Sequence, residues 1–85
     1  PDATENLISV YPNPAIDKVS ISIDRINDAE QNSKIALFDL SGRVVLEKEI
    51  KIVSGRNIFE IDIEFLSAGM YVMKVGDEKV LLNKQ

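Results

Sequence analysis

The chain contains no cysteine, no histidine and no tryptophan. Without cysteine there is no disulfide framework, no thiolate nucleophile and no zinc–sulfur site. The compartment stays open, because many exported proteins also do without cysteine. Without histidine the chain lacks the commonest general base and the commonest transition-metal ligand near neutral pH. Most hydrolase constellations therefore cannot be assembled. Long apolar runs are missing too. None exceeds four residues, against roughly 20 for a bilayer-spanning helix. The opening stretch Pro1-Asp2-Ala3-Thr4-Glu5-Asn6 has neither a basic segment nor an apolar one. An export signal, if the protein uses one, is expected upstream.

What is present describes one small folded unit. Eighty-five residues bury about 60% of the surface that the unfolded chain exposes. That is enough for a single core, but not for a core and a deep substrate pocket. Apolar residues make up 45% and charged residues 28%, a globular balance rather than a disordered one. Fourteen acidic and 10 basic side chains leave a net charge of −4. That charge favours solubility and works against a phosphate backbone. The basic residues are scattered singly and do not interleave with aromatics, so nucleic-acid binding is not expected.

The apolar residues recur with period two, the signature of strands. Val19, Ile21 and Ile23 alternate with Ser20, Ser22 and Asp24, and Phe59, Ile61 and Ile63 alternate with Glu60, Asp62 and Glu64. Tyr71, Met73 and Val75 do the same, with Val72 adding an apolar residue on the other face. Ile35-Ala36-Leu37-Phe38 is apolar throughout, as suits a central strand covered on both sides. Turn residues separate the runs. Pro12-Asn13-Pro14 follows a first strand at Leu7–Tyr11, and Asn27–Ser33 reads as a solvated loop. Ser41-Gly42, Ser54-Gly55, Ser67-Ala68-Gly69 and Gly76-Asp77 divide the remainder. The fourth strand runs from Val44 to about Ile52 and the last over Lys79–Leu82. These signals predict an all-β fold, a seven-stranded antiparallel immunoglobulin-like β-sandwich. Residues 1–6 read as the end of a linker from an upstream domain, and residues 7–85 as the domain itself.

The acidic residues offer two chemical readings, and both are weak. Asp62 and Glu64 share a strand face about 7 Å apart, a separation open to a glycosidase pair. Phe59, Ile61 and Ile63 occupy the opposite face, so these acids should point to solvent, where no pocket is expected. Asp24, Asn27, Asp28 and Glu30 offer oxygen ligands for calcium, but Ile26 stands where the EF-hand order needs an oxygen. A solvated loop is the better reading. No cofactor and no catalytic residue are expected.

Four pieces, taken in order, carry a resemblance. They are Tyr11-Pro12-Asn13-Pro14-Ala15, then Leu37-Phe38-Asp39-Leu40-Ser41-Gly42-Arg43-Val44-Val45, then Leu66-Ser67-Ala68-Gly69-Met70-Tyr71-Val72, and finally Lys79-Val80-Leu81-Leu82. Together they resemble the C-terminal sorting domain of the type IX (Por) secretion system of Bacteroidota-like Gram-negative bacteria, over about Leu7 to Gln85. The resemblance implies a non-enzymatic signal, read at the periplasmic face of the outer membrane by a translocon and its shuttle proteins. A sortase-like cysteine peptidase would cut before or within Pro1–Asn6. The cargo would then be released or held at the cell surface. Such a domain sits at the C-terminus of its parent, in keeping with Gln85. Glu78-Lys79 and Asn83-Lys84-Gln85 make the terminal basic pattern thinner than is usual in that family.

Two groups of residues follow from this reading. The recognition candidates are Pro12, Asn13 and Pro14, with Lys79, Val80, Leu81, Leu82 and Lys84 of the last strand. Asp39, Gly42, Arg43, Gly69 and Tyr71 match the family as fold residues. The glycines are expected at positive φ, Tyr71 in the core with its hydroxyl on a backbone partner, and Arg43 solvated. Pro12-Asn13-Pro14 reads either as a strand terminator that blocks edge pairing or as a rigid extended recognition segment. The last strand should lie at a sheet edge, open to β-augmentation or to pairing with a second copy. The alternative function is a carbohydrate-binding or adhesion module, for which Phe65 is the aromatic to inspect.

Overall fold

A computed structural model of the chain describes residues 6–25 and 30–85. Seven strands form in sequence order: β1 (Asn6–Tyr11), β2 (Lys18–Arg25), β3 (Gln31–Phe38), β4 (Val44–Ile52), β5 (Gly55–Asp62), β6 (Gly69–Val75) and β7 (Glu78–Lys84). One sheet has the order β1-β2-β5 and the other β4-β3-β6-β7, with every strand pair antiparallel. This is the expected immunoglobulin-like sandwich. Residues 1–5 of the expected linker lie outside the described residues, and Asn6, expected to be its last residue, pairs with Arg25 in β1. No helix among the described residues is long and apolar enough to cross a membrane.

The alternation read from the sequence sets the core. Val19, Ile21 and Ile23 of β2 are fully buried, as are Ile35 and Leu37 of β3 and Met73 of β6. Each buried aliphatic side chain contributes about 1.5–3 kcal/mol, offset by the entropy of ordering the chain. β3 lies between β4 and β6, but it is not covered on both faces as its apolar run suggests: Ile35 and Leu37 face the core, while Phe38 faces outward and is half-buried. Ala36 points away from the core but is flanked by Glu47 and Lys74 in the register, and it is still 7% exposed. Ile63 lies one residue past β5, yet its amide donates to Asp17 O at 2.8 Å and its side chain is fully buried.

The bounds of β3 and β7 differ from the sequence reading. Gln31–Ser33, expected in a loop, extend β3 and pair with Ile50–Ile52 of β4. β5 begins at Gly55, where the Ser54-Gly55 turn signal puts it, and Asn57 takes the inward position that an apolar residue would mark. β7 continues to Lys84. A bulge interrupts β3–β4. Leu37 faces Leu46 and Phe38 faces Val44, which leaves Val45 as the extra residue on β4.

Candidate recognition surface

The Pro12–Ala15 segment leaves β1 of one sheet and lands on β7, the edge strand of the other. It bends rather than running extended, with the Tyr11–Pro12 and Asn13–Pro14 bonds both cis. The side-chain amide of Asn13 then acts as a peptide unit. Its Nδ2 donates to Leu81 O at 2.9 Å and its Oδ1 accepts from Asn83 N at 3.0 Å. Ala15 continues the ladder in parallel sense. Its N donates to Asn83 O at 2.8 Å and its O accepts from Gln85 N at 2.7 Å. A strap of one side-chain amide and one backbone residue thus covers the C-terminal half of the β7 edge. Ala15 itself is fully buried.

The strap also fixes which way β7 faces. Backbone groups of Leu81, Asn83 and Gln85 point outward to the edge, so those of Val80, Leu82 and Lys84 point toward β6. On the N-terminal half, the N–H and C=O of Lys79 and the N–H of Leu81 have no partner among the described residues. That stretch is the open part of the edge. The side chains divide as well. Leu82 is fully buried and Val80 is half-buried, whereas Lys79 and Leu81 are exposed. Lys84 is buried, and its Nζ donates to the main-chain oxygen of Gln85 at 3.1 Å.

Of the recognition candidates, Asn13 and Leu81 are thus brought together, and Asn13 also holds Asn83, which was not among them. The fold residues lie elsewhere. Asp39 organises its own turn. Its Oδ1 accepts from Ser41 N at 3.0 Å, Ser41 Oγ at 2.6 Å and Arg43 N at 3.0 Å. The exposed Arg43 sits 3.3 Å from Oδ2. The Ser41 hydroxyl, followed by the Arg43 amide, holds the Asp39 carboxyl below the usual carboxylate range. Gly42 has φ +92° and Gly69 φ +151°. At both positions an added Cβ would meet open space, so the backbone angle rather than crowding calls for glycine. Tyr71 is buried, and its hydroxyl donates to Ser67 O at 2.6 Å, tying the turn before β6 to its own strand.

The other acids are occupied or solvated. Asp24 takes a two-pronged bond from Arg56, at 2.8 and 3.2 Å, which lowers its pKa. Glu30 lies 3.7 Å from Lys51. Asn27 and Asp28 of the calcium reading lie outside the described residues, and no metal-holding group of acids occurs among the described ones. Asp62 and Glu64 are exposed, and Asp62 Oδ1 accepts from Glu64 N at 2.9 Å. Among the aromatics, Phe65 is exposed as suspected. Tyr11, at the end of β1, is 46% exposed.

Two residues escaped the sequence reading. Asn57 is buried on β5, where its Oδ1 accepts from Val53 N and its Nδ2 faces the carbonyls of Ile23, Val53 and Gly55. The available signal was its phase with Phe59 and Ile61. Ala15 was read as one end of a motif, and nothing local marks it as a ladder residue.

The last strand of the sandwich thus forms a sheet edge that the strap covers in part. The model of the secretion system C-terminal sorting domain family matches residues 9–85, and the chain belongs to that family. It is also 35% identical over 80 residues to "Ulvan lyase NLR42" of Nonlabens ulvanivorans, a match covering 91% of this chain and 14% of that protein. The chain thus spans about a seventh of that relative. The domain is a C-terminal sorting signal for type IX secretion. Such a signal marks the protein that carries it for export to the cell surface or the extracellular space.

Proposed function

We propose that the secretion machinery reads this domain through the β7 edge and its strap. The readers are the outer-membrane translocon and its shuttle proteins, and the domain works by recognition without chemistry of its own. A sortase-like cysteine peptidase then removes it by cutting near Pro1–Asn6. The observation that carries this reading is the convergence of the Pro12-Asn13-Pro14 piece with Leu81 and Asn83, about 70 residues away in sequence, inside a family match that covers both. The match to a small part of a much longer ulvan lyase supports a signal carried by a larger protein.

The test is export of a reporter. Residues 1–85 are fused behind a periplasmic signal peptide and a fluorescent protein, in a type IX host and in the same host without its translocon. Surface or medium fluorescence that needs both the domain and the translocon is the expected result. Retention in the periplasm, while a native cargo is exported, would leave a likeness of fold alone. The carbohydrate-binding alternative, resting on the exposed Phe65 and Tyr11, would then be tested by sugar affinity.

A further inference from the structure

The outer face of the four-stranded sheet carries an apolar row that crosses every strand. Val44 faces Phe38, Phe38 faces Val72, and Val72 faces Leu81. Val44 is 43% exposed and Leu81 59%, and Leu40 of the neighbouring turn is 70% exposed. A cleft of about 410 Å³ opens here, lined by Phe38, Leu40 and Val72, by Lys74 and Lys79, and by Asp39, whose carboxylate is engaged by Ser41 and Arg43. The row ends at the open stretch of the β7 edge.

The charges beside this row are unusual. Lys74 and Lys79 stand directly opposite each other on adjacent strands. The strap geometry makes this a pair without mutual backbone bonds, the class in which Cα atoms approach to about 4.5 Å. Like charges so placed repel. No acidic side chain pairs with either lysine among the described residues, although the chain is acidic overall. The contrast is the larger cleft beside Lys34 and Lys51. Each of those lysines has an acidic partner, Lys34 in Glu47 at 3.8 Å and Lys51 in Glu30 at 3.7 Å.

We propose that this face docks an extended segment of a partner protein in which an acidic residue and an apolar residue stand two positions apart. The segment pairs with the open backbone groups of Lys79 and Leu81. Its acidic side chain lies over the Lys74–Lys79 pair, and its apolar side chain meets Leu81 and Val72. Period two along a strand puts both on one face, and the charge match gives selectivity and encounter rate. A second copy of this chain is the poorer occupant. Pairing two β7 edges would bring two lysine pairs together, and the strap leaves each edge only a short open stretch. The inference rests on the sorting reading and gives it a partner chemistry.

Two measurements test it. In the first, the 85-residue chain is titrated by NMR with a blocked heptapeptide bearing glutamate and valine two positions apart among threonines. A counterpart carries lysine for glutamate. Expected are shifts at Lys74, Lys79, Leu81, Val72 and Phe38, with about tenfold weaker binding of the lysine peptide and weakening in salt. The K74E/K79E variant, which keeps a facing pair of like charges but reverses their sign, should invert the preference. Equal binding of both peptides, no shifts at millimolar peptide, or concentration-dependent shifts without peptide would overturn the proposal. In the second, K74E/K79E is placed in the export fusion, with a thermal melt to show that it folds. Export of the parent but not of the variant is expected. Equal export of both overturns the docking surface and leaves the sorting reading intact. Failure of the parent itself counts against the sorting reading, and the peptide titration then decides the surface alone.

Discussion

The Asp39 turn and the Asn13 strap both use a polar side chain to satisfy backbone groups, but over very different distances. Asp39 serves Ser41 and Arg43, its near neighbours. Asn13 serves Leu81 and Asn83, at the far end of the sequence and on the other sheet. The first device shapes one hairpin and ends there. The second closes the sandwich and shields half of an edge strand that would otherwise pair with whatever it met. Two motifs of equal weight in the sequence therefore do unequal work: one is local turn chemistry, and the other sets how much of β7 is available to a partner.

Breaking the strap where it is buried should have the largest effect. Ala15 is fully enclosed, so Ala15→Leu forces added volume into a packed site at a cost of about 1–3 kcal/mol. For a domain of this size, each kcal/mol lowers the melting temperature by roughly 4–8 °C. The expected result is a clear loss of thermal stability, together with faster amide exchange at Gln85, whose N–H bonds to Ala15 O. An unchanged melt would mean that the strap is not packed as described.

Asn13→Ala should act in the same place but less strongly. It removes two hydrogen bonds on an exposed edge, where water can replace them, for a total of about 1–2 kcal/mol. The informative readout is amide exchange at Asn83, which should accelerate while Ser41 and Arg43 stay unchanged. If all three accelerate together, the strap and the Asp39 turn belong to one cooperative unit and the contrast between them fails. Lengthening of the open edge should also make the variant associate at high concentration, seen by sedimentation.

Legibility followed the same divide. Strand positions were visible because the core of a sandwich imposes period two on β2, β5 and β6, and the turns were visible through Gly42 and Gly69. β3 was read too short because Gln31–Ser33 lie at the sheet rim, where neither face needs apolar residues. Asn57 hid because a polar residue on an inward phase looks like an interruption until its carbonyl partners are known. The Pro-Asn-Pro piece was recognisable, but its partner was not. Hydrogen bonds that span nearly the whole chain leave no local pattern, and the bulge at Val45 leaves none either.

The smallest expected effect belongs to the Asp39 turn and appears as a pH dependence. The folded turn favours the charged carboxylate and lowers its pKa from the ordinary 3.8. Stabilisation of this kind is complete above the unfolded group's pKa and is lost as pH falls through the lowered folded value. Asp39→Asn removes it. Urea melts of parent and variant should therefore differ most near neutral pH and converge on acidification below the ordinary carboxylate range. Asp24, whose pKa is lowered by Arg56, keeps its own acid dependence in both proteins, so the difference isolates Asp39. Amide exchange should rise at Ser41 and Arg43 and remain unchanged at Asn83. A constant difference across that range would mean that the turn depends on side-chain shape rather than on carboxylate charge, and that the local device needs no ionised group.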